Sequence, residues 1–361
     1  MKIMLSAGEV SGDLHGASIA AAIHELSPET ELIGFGGKQM QAAGVRLNAD
    51  MADYSVMGVW EVILNLRRIM RLLNHLTNVM KEERPDLLVL IDYPDFNWRL
   101  AKRAKELGIP VFSYIPPSAW AWRKGRAKSC AALADEFAAI FPFETKVYED
   151  AGANISFVGN PLVDKVRPSM SDEEAKAYFR IKADEYPVLL MPGSRRQEIE
   201  LLFPAMLEAA KRIKEVKKDT VFYLPVAQSM AQAEFSLATS GTVVLEAALM
   251  GLPCIVLYRL SPVSYFFGKL LVHVRFFSLP NILLGEEIQP ELLQDEVNPE
   301  RILKEARRFW EESSYAEGVR KKLREACERL GPPNAAKRVA ERILAAAVRL
   351  GADKQTFGGS V

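Results

Sequence analysis

Several absences narrow the reading of this 361-residue chain before any motif is considered. Only three cysteines occur, Cys130, Cys254 and Cys327, far apart and without metal-ligand spacing. That excludes a disulfide framework or a zinc cluster and points to buried or free thiols in a reducing compartment. Charge of one sign is also lacking. The 46 basic and 46 acidic residues cancel, so nothing electrostatic favours a nucleic-acid partner, and none is expected. No run of about 18 apolar residues spans a bilayer. The start, MKIMLSAGE, enters a short strand at once and shows no signal-peptide core. The Walker ending Gly-Lys-Ser/Thr is missing, as is a true GxGxxG after the first strand. Half the residues are hydrophobic and a quarter charged, a normal soluble balance, and the length suggests two domains.

What is present centres on Val188–Glu198, VLLMPGSRRQE. An apolar strand runs into Pro-Gly-Ser, two arginines and a glutamate, and then a long helical pattern. A helix N-terminus offers unpaired N–H groups and partial positive charge. Gly193 lets a ligand approach the backbone, Ser194 is a small polar donor, and Arg195 and Arg196 add cations. Such a turn suits a diphosphate. An ordinary βα turn with solvated arginines has the same local pattern.

The first half alternates strand and helix. Lys2–Ala7 reads as a buried parallel strand, followed by GEVSGDLHG with Gly8, Gly12 and Gly16. Glu9 and Asp13 would repel a phosphate there. Gly12 and Asp13 are expected to line a cleft for a hydroxyl-bearing substrate, although a glycine turn for close strand–helix packing fits as well. Glu31–Gly37 is a second strand. Tyr54–Lys81 carries Val56, Met57, Trp60, Ile63, Leu66, Ile69, Met70 and Leu73, with Arg67, Arg68 and Arg71 interleaved. One packed face needs less apolar surface than this. An apolar patch beside arginines suits a helix touching a membrane surface; a core helix with a dimer contact is the other reading. Asp86–Ile91 is a strongly apolar strand ending at Asp92-Tyr-Pro-Asp95. Ligands of open α/β sheets gather at such carboxyl ends. Asp95 is placed to cap the next helix, which leaves Asp92 freer as a general base whose pKa desolvation raises. Strand Ile109–Tyr114 leads into IPPSAWAWRKGR, where Trp120 and Trp122 beside basic residues suit an amphipathic ligand or simply pack a loop. Two more short strands complete a doubly wound parallel domain.

Gly159–Pro168 reads as a linker, and the alternation resumes at Val188. Strands at Val221–Ala227 and Phe235–Thr239 are separated by too few residues for a parallel crossover, which takes about a dozen. Either the two do not pair in parallel or a segment is missing at 228–234; the second is favoured. Ser240, Gly241 and Thr242 open a helix and can hold phosphate or cap it. Glu246 suits ribose hydroxyls, or is an exposed helix charge. Arg259 ends a strand, and Asn281 lies in the apolar SLPNILLG segment. Pro299–Leu330 and Ala335–Leu350 are long helices, and the tail Gly351–Val361 is expected to be disordered.

Taken in order, AGEVSGDLHG, SVMGVWEV, IDYPDFN, PPSAWAWR, FPFE, FVGNPLVD, PGSRRQEIE, ATSGTVVLEAALMGLP, YRLSP, SLPNILLG and PELLQ resemble the lipid-A-disaccharide synthases nearly end to end. The resemblance implies an α/β protein of the GT-B glycosyltransferase fold, two doubly wound Rossmann-like domains facing a cleft. Residues 1–164 would form the N-terminal acceptor and membrane-side domain, with helices at about 335–352 crossing back, and 165–334 the C-terminal domain binding the UDP-sugar. It implies inverting, metal-independent transfer from UDP-2,3-diacylglucosamine to 2,3-diacylglucosamine 1-phosphate, giving the β-1',6 disaccharide 1-phosphate and UDP for lipid A of Gram-negative bacteria. No cofactor is implied, since the UDP-sugar is the substrate. Carried onto this chain, Asp92 is the base. Gly193, Ser194 and Arg195 hold the diphosphate with help from Arg259, Ser240–Thr242 hold phosphate, and Glu246 holds ribose. Asn281 faces the cleft, and Asp95, Asn97, Trp120 and Trp122 line the acceptor side. The family is cytoplasmic and peripheral to the inner face of the inner membrane, and some members are homodimers that exchange C-terminal parts. The short 228–234 segment departs from the family, which carries a longer stretch there. Competing readings are another GT-B enzyme such as a UDP-N-acetylglucosamine 2-epimerase or murein-precursor transferase, a nucleotide-sugar or lipid carrier, and a dinucleotide oxidoreductase, which the missing GxGxxG disfavours.

Overall fold

A computed structural model describes residues 1–54, 59–119, 125–224, 233–261, 265 and 274–357; for 59–66, 172 and 352–357 it describes the backbone alone. The chain divides into two compact units, Met1–Pro161 with Pro332–Val361, and Leu162–Gly331.

The first unit is built on β1 (Lys2–Ser6), α1 (Val10–Leu26), β2 (Glu31–Gly36), α2 (Lys38–Ala42), β3 (Arg46–Asp50), α3 (Val59–Glu83), β4 (Leu87–Ile91), α4 (Pro94–Glu106), β5 (Val111–Tyr114), α5 (Gly125–Ala131), β6 (Glu136–Ala139), α6 (Pro142–Glu149) and β7 (Ile155–Phe157). Its seven strands run in the order β3-β2-β1-β4-β5-β6-β7, and every pairing is parallel. A parallel sheet covered on both faces needs apolar side chains on both, which explains the unbroken run LLVLI in β4. Leu88 and Leu90 face Leu72, Leu76, Met80 and Leu100. Leu87, Val89 and Ile91 face Ile19 and Ile23 of α1 and Val339 and Ile343. The last two lie on the closing helix of the chain, Ala335–Phe357, which packs against α1. Buried Glu136 at the start of β6 anchors that helix through Arg342 Nε at 3.0 Å and Arg349 Nη2 at 2.6 Å.

The second unit contains α7 (Leu162–Lys165), α8 (Asp172–Phe179), β8 (Tyr186–Met191), α9 (Arg196–Val216), β9 (Thr220–Tyr223), β10 (Phe235–Thr239), α10 (Thr242–Leu249), β11 (Cys254–Tyr258), α11 (Leu279–Leu284), β12 (Glu291–Leu293), α12 (Pro299–Glu311) and α13 (Tyr315–Glu328); the Ala335–Phe357 helix is then α14. Its parallel sheet has the order β12-β11-β10-β8-β9. In both sheets the first strand in the chain lies inside the sheet and the later strands build out on both sides of it: β1 between β2 and β4, β8 between β9 and β10. The turns after β1 and β4, and after β8 and β10, therefore open side by side at the carboxyl ends of their sheets, the place where open α/β sheets bind ligands.

Two sequence expectations change. β9 and β10 do not pair with each other; each pairs in parallel with β8. Residues 225–232, with most of the short segment, lie outside the described residues. α14 runs to Phe357, into the tail expected to be disordered. β3 and β12 are edge strands that no apolar run marks in the sequence.

Candidate functional site

In the first unit the candidate site starts at the end of β4. Asp92 and Tyr93 both adopt left-handed backbone, with φ of 47° and 52°. Ile115, at the end of neighbouring β5, does so as well at 58°. Such conformations are strained for side-chain-bearing residues and concentrate at functional sites. The Tyr93 ring lies over Gly8, where a Cβ would collide with it. The loop after β1 is thereby packed directly on the loop after β4. Asp92 is half-buried. Burial raises its carboxyl above the ordinary range, opposed by a hydrogen bond from the Tyr93 backbone. The Tyr93 phenol is also raised, by burial first and then by the Glu9 and Asp95 carboxylates.

Asn97 is a strut beneath this turn rather than an acceptor-side group. It is 1 % exposed. Its Nδ2 donates to the Asp92 carbonyl at 2.7 Å and the Ser6 carbonyl at 3.2 Å, and its Oδ1 accepts from Ser6 Oγ at 2.7 Å. The ends of β1 and β4 are thus tied through one amide. Asp13 is likewise turned inward. It is 5 % exposed and accepts from the backbone N–H groups of Gly37 (2.8 Å), Gln39 (3.0 Å) and Met40 (3.0 Å). A carboxylate there satisfies the unpaired donors that open α2. Gly12 serves packing: a Cβ would come within 3.3 Å of Ala7 Cβ and 3.5 Å of the Ile91 carbonyl. Asp95 does not cap α4, whose N-cap is Tyr93. It sits in the first turn, 97 % exposed, 3.2 Å from Arg126 Nη2.

Glu144, unassigned from the sequence, is 3 % exposed and begins α6 beside the end of β6. Its Oε2 accepts from Phe141 N at 3.2 Å. Burial dominates its titration, and with a contribution from Asp92 pushes its pKa up to about 8. Its sequence signal was the acid two residues after a proline at a strand end, in FPFE.

On α3, Leu73 is buried in the core, and Ile69 and Met70 pack against it. The same stripe continues through Leu76, Val79 and Met80, so Leu73 is not free apolar surface, while Ile69 and Met70 are half-buried. Arg67, Arg68 and Arg71 are exposed, and a groove is lined by Arg67, Met70, Arg71 and Asn74. Val56, Met57, Trp120 and Trp122 lie outside the described residues, as do the side chains of Trp60, Ile63 and Leu66.

In the second unit Gly193 has φ 107°, which a side chain would strain. The turn it makes exposes Ser194, Arg195 and Arg196 at the start of α9. Glu198 closes the turn back on itself: its Oε1 lies 3.0 Å from Arg195 Nη1, and its Oε2 accepts from Arg195 N at 3.3 Å. Next to it, α10 starts at Thr242 with Gly241 as N-cap and no side-chain cap. Its first N–H groups therefore lack the side-chain acceptor common at such positions. Ser240 Oγ donates to the Phe277 carbonyl at 3.1 Å. Glu246 is half-buried on α10, one turn beyond Thr242 and on the same face.

Arg259 and Asn281 are structural. The Arg259 guanidinium donates to the carbonyls of Leu201 (3.1 Å), Val297 (2.6 Å) and Gln294 (3.4 Å). It joins the end of β11 to its neighbours. Asn281 is fully buried and faces no cleft. Its amide donates to the Gln289 carbonyl (3.0 Å) and Glu291 Oε1 (2.8 Å) and accepts from Ile288 N (2.9 Å). Glu291, overlooked in the sequence, also accepts from Phe277 N and Ser278 N. No group of three His, Cys, Asp or Glu residues among the described residues has metal-holding geometry.

Two doubly wound parallel sheets, each with its loops gathered at a strand-order reversal, define the GT-B class, and solved structures agree. The S. aureus MnaA–UDP structure superposes with a TM-score of 0.65 at 14 % identity, covering 97 % of both chains. UDP-GlcNAc 2-epimerase from Neisseria meningitidis bound to UDP-GlcNAc gives 0.63 at 14 % identity, covering 96 % of this chain and 100 % of that one. Acinetobacter baumannii MurG gives 0.56 at 12 %, covering 95 % and 99 %. At such identities the likeness shows the fold alone. The sequence goes further. The family model described as Lipid-A-disaccharide synthetase matches residues 3–229 and 225–343. The lipid-A-disaccharide synthase of Geobacter sulfurreducens is 40 % identical over 95 % of this chain and 96 % of its own length. That of Syntrophus aciditrophicus is 40 % identical over 94 % and 96 %. The chain belongs to the lipid-A-disaccharide synthetase family.

Proposed function

We infer that this protein is a lipid-A-disaccharide synthase, a hexosyltransferase that moves an acylated glucosamine from UDP to the 6-hydroxyl of an acylated glucosamine 1-phosphate. The observation that carries the mechanism is Asp92, a desolvated carboxyl held in strained backbone at the end of β4. In the proposed step Asp92 takes the proton of the acceptor hydroxyl as its oxygen attacks the anomeric carbon. The bond from that carbon to the diphosphate oxygen breaks, UDP departs with the electron pair, and the configuration inverts. A base with a raised pKa is matched to such a proton. The negative charge that develops on UDP is met by the N-termini of α9 and α10, by Arg195, and by Ser240 and Thr242. Glu246 would receive the ribose hydroxyls. Gly193 allows the backbone to approach the phosphates, and Ser194 adds a donor.

A peripheral seat on the inner face of the inner membrane is part of the same proposal, because both substrates carry acyl chains. No helix among the described residues is long and apolar enough to cross a membrane. The exposed Arg67, Arg68 and Arg71 suit anionic headgroups. Exchange of α14 between two copies would remake the Glu136 pairs with Arg342 and Arg349 across a homodimer, which sedimentation in detergent tests.

The mechanism is tested with UDP-2,3-diacylglucosamine and 2,3-diacylglucosamine 1-phosphate in micelles without added metal. Asp92→Asn is expected to lower turnover about a hundredfold or more and to bind UDP as the wild type does. An Asp92→Asn enzyme with near-normal turnover would remove Asp92 as the base.

A further inference from the structure

Thr239 ends β10 directly before the Ser240–Thr242 turn. It is 5 % exposed, and its hydroxyl has no hydrogen-bond partner among the described residues. A buried hydroxyl without a partner destabilises a fold, so its presence asks for a reason. Its place supplies one. Leu237 packs with Leu202 and Met206 of α9, whereas Ala238 packs with Val244 and Ala247 of α10. Strand alternation puts Thr239 on the α9 side with Leu237. There it borders the Gly193 turn: a Cβ on Gly193 would lie 3.2 Å from Thr239 Cγ2 and 3.1 Å from Glu198 Cβ, and would collide with the Glu198 carboxylate. Glycine therefore leaves a hollow whose walls are Thr239 and Glu198, and the anion now at that hollow is the protein's own. Thr220, whose hydroxyl also lacks a partner among the described residues, opens β9 at the opposite, amino end of the sheet and borders no such turn.

The Glu198 carboxylate already uses the groups a phosphate would use, the Arg195 N–H and guanidinium. A diphosphate arriving at Gly193 competes with it for the same donors. We propose that Thr239 is a further donor-binding residue: when the diphosphate displaces the Glu198 carboxylate from the Gly193 hollow, the Thr239 hydroxyl turns into it and donates a hydrogen bond to a phosphate oxygen. A rotation of about 120° around χ1, from one staggered well to the next, carries the hydroxyl to the place where Cγ2 now stands and the methyl to the place of the Cβ hydrogen. This rests on the donor-site reading given above. It adds a residue whose hydroxyl is buried and, among the described residues, unsatisfied.

The test uses the full chain as wild type, Thr239→Val and Thr239→Ser. UDP affinity is measured by calorimetry, KM for each substrate by UDP release, and melting temperature by calorimetric scan. Thr239→Val keeps the shape and removes the hydroxyl. It is expected to weaken UDP binding and raise the donor KM about tenfold or more, to leave the acceptor KM unchanged, and to melt no lower than wild type because an unpaired buried group is gone. Thr239→Ser is expected to keep most of the UDP affinity. Wild-type UDP affinity in Thr239→Val would overturn the inference while leaving the donor site intact. So would a Thr239→Val protein that melts lower and loses both KM values together, since that marks a packing role. A wild type that binds no UDP would overturn the donor site, and this inference with it.

Discussion

Glu144 keeps its proton up to about pH 8 because its carboxyl is buried at the head of α6, near the Asp92 charge. In the unfolded chain it would lose that proton near its ordinary 4.5. The native state therefore binds the extra proton between these values, and stability falls as pH rises through the window. The contribution is fully present below about pH 4.5 and gone above about 8. Asp92, also raised by burial, acts in the same direction. Glu144→Gln is expected to flatten the loss of stability between pH 5 and 8, an effect on the order of a few kcal/mol, read from urea midpoints at several pH values. An unchanged slope would show that Glu144 ionises normally. Asn97 makes a different prediction. Asn97→Ala would leave the Asp92 and Ser6 carbonyls without their shared donor and is expected to lower stability by about 1–3 kcal/mol, with turnover falling because the Asp92 turn is no longer tied to β1. Full turnover in a stable Asn97→Ala protein would remove its positioning role.

At the scale of elements, the parallel strands read clearly from sequence because both of their faces are buried. Runs such as LLVLI and CIVLY have no polar face to confuse the period. β3, RLNAD, was overlooked because it is an edge strand of intermediate burial with a polar sequence. The site residues divide for a related reason. A polar residue just beyond a strand can face a ligand or bond back into the fold, and residue type does not distinguish the two. Asp13, Asn97, Arg259 and Asn281 bond inward. The turn chemistry at Gly193 and at Asp92-Tyr93-Pro94 was legible because it depends on local backbone rather than distant partners. Arg259 carries the corresponding prediction: Arg259→Ala removes a donor shared by three backbone carbonyls and is expected to lower the melting temperature. Its effect on UDP affinity should appear only through stability, checked by binding below the melting range. On α3, reversing Arg67 and Arg71 to Glu is expected to weaken binding to vesicles of anionic phospholipid, most strongly at low salt. Binding that ignores both the reversal and the salt would remove the arginines as headgroup contacts.

At the scale of the molecule, α14 returns from the end of the chain to complete the first unit. Its docking on Glu136 pairs two arginines with one carboxylate buried to 3 % exposure. The long sequence separation of this contact hides it from any local pattern; only the family resemblance points to closing helices that cross back to the first domain. The central claim concerns the whole protein, because the same fold also serves UDP-GlcNAc 2-epimerases among its structural neighbours. The most direct measurement incubates the purified chain, in micelles and without added metal, either with both acylated substrates or with UDP-GlcNAc alone, and identifies the products by NMR. A β-1',6-linked disaccharide 1-phosphate in the first mixture and unchanged UDP-GlcNAc in the second are the predicted results. Epimerised UDP-GlcNAc, with no disaccharide from the acylated pair, would contradict the account.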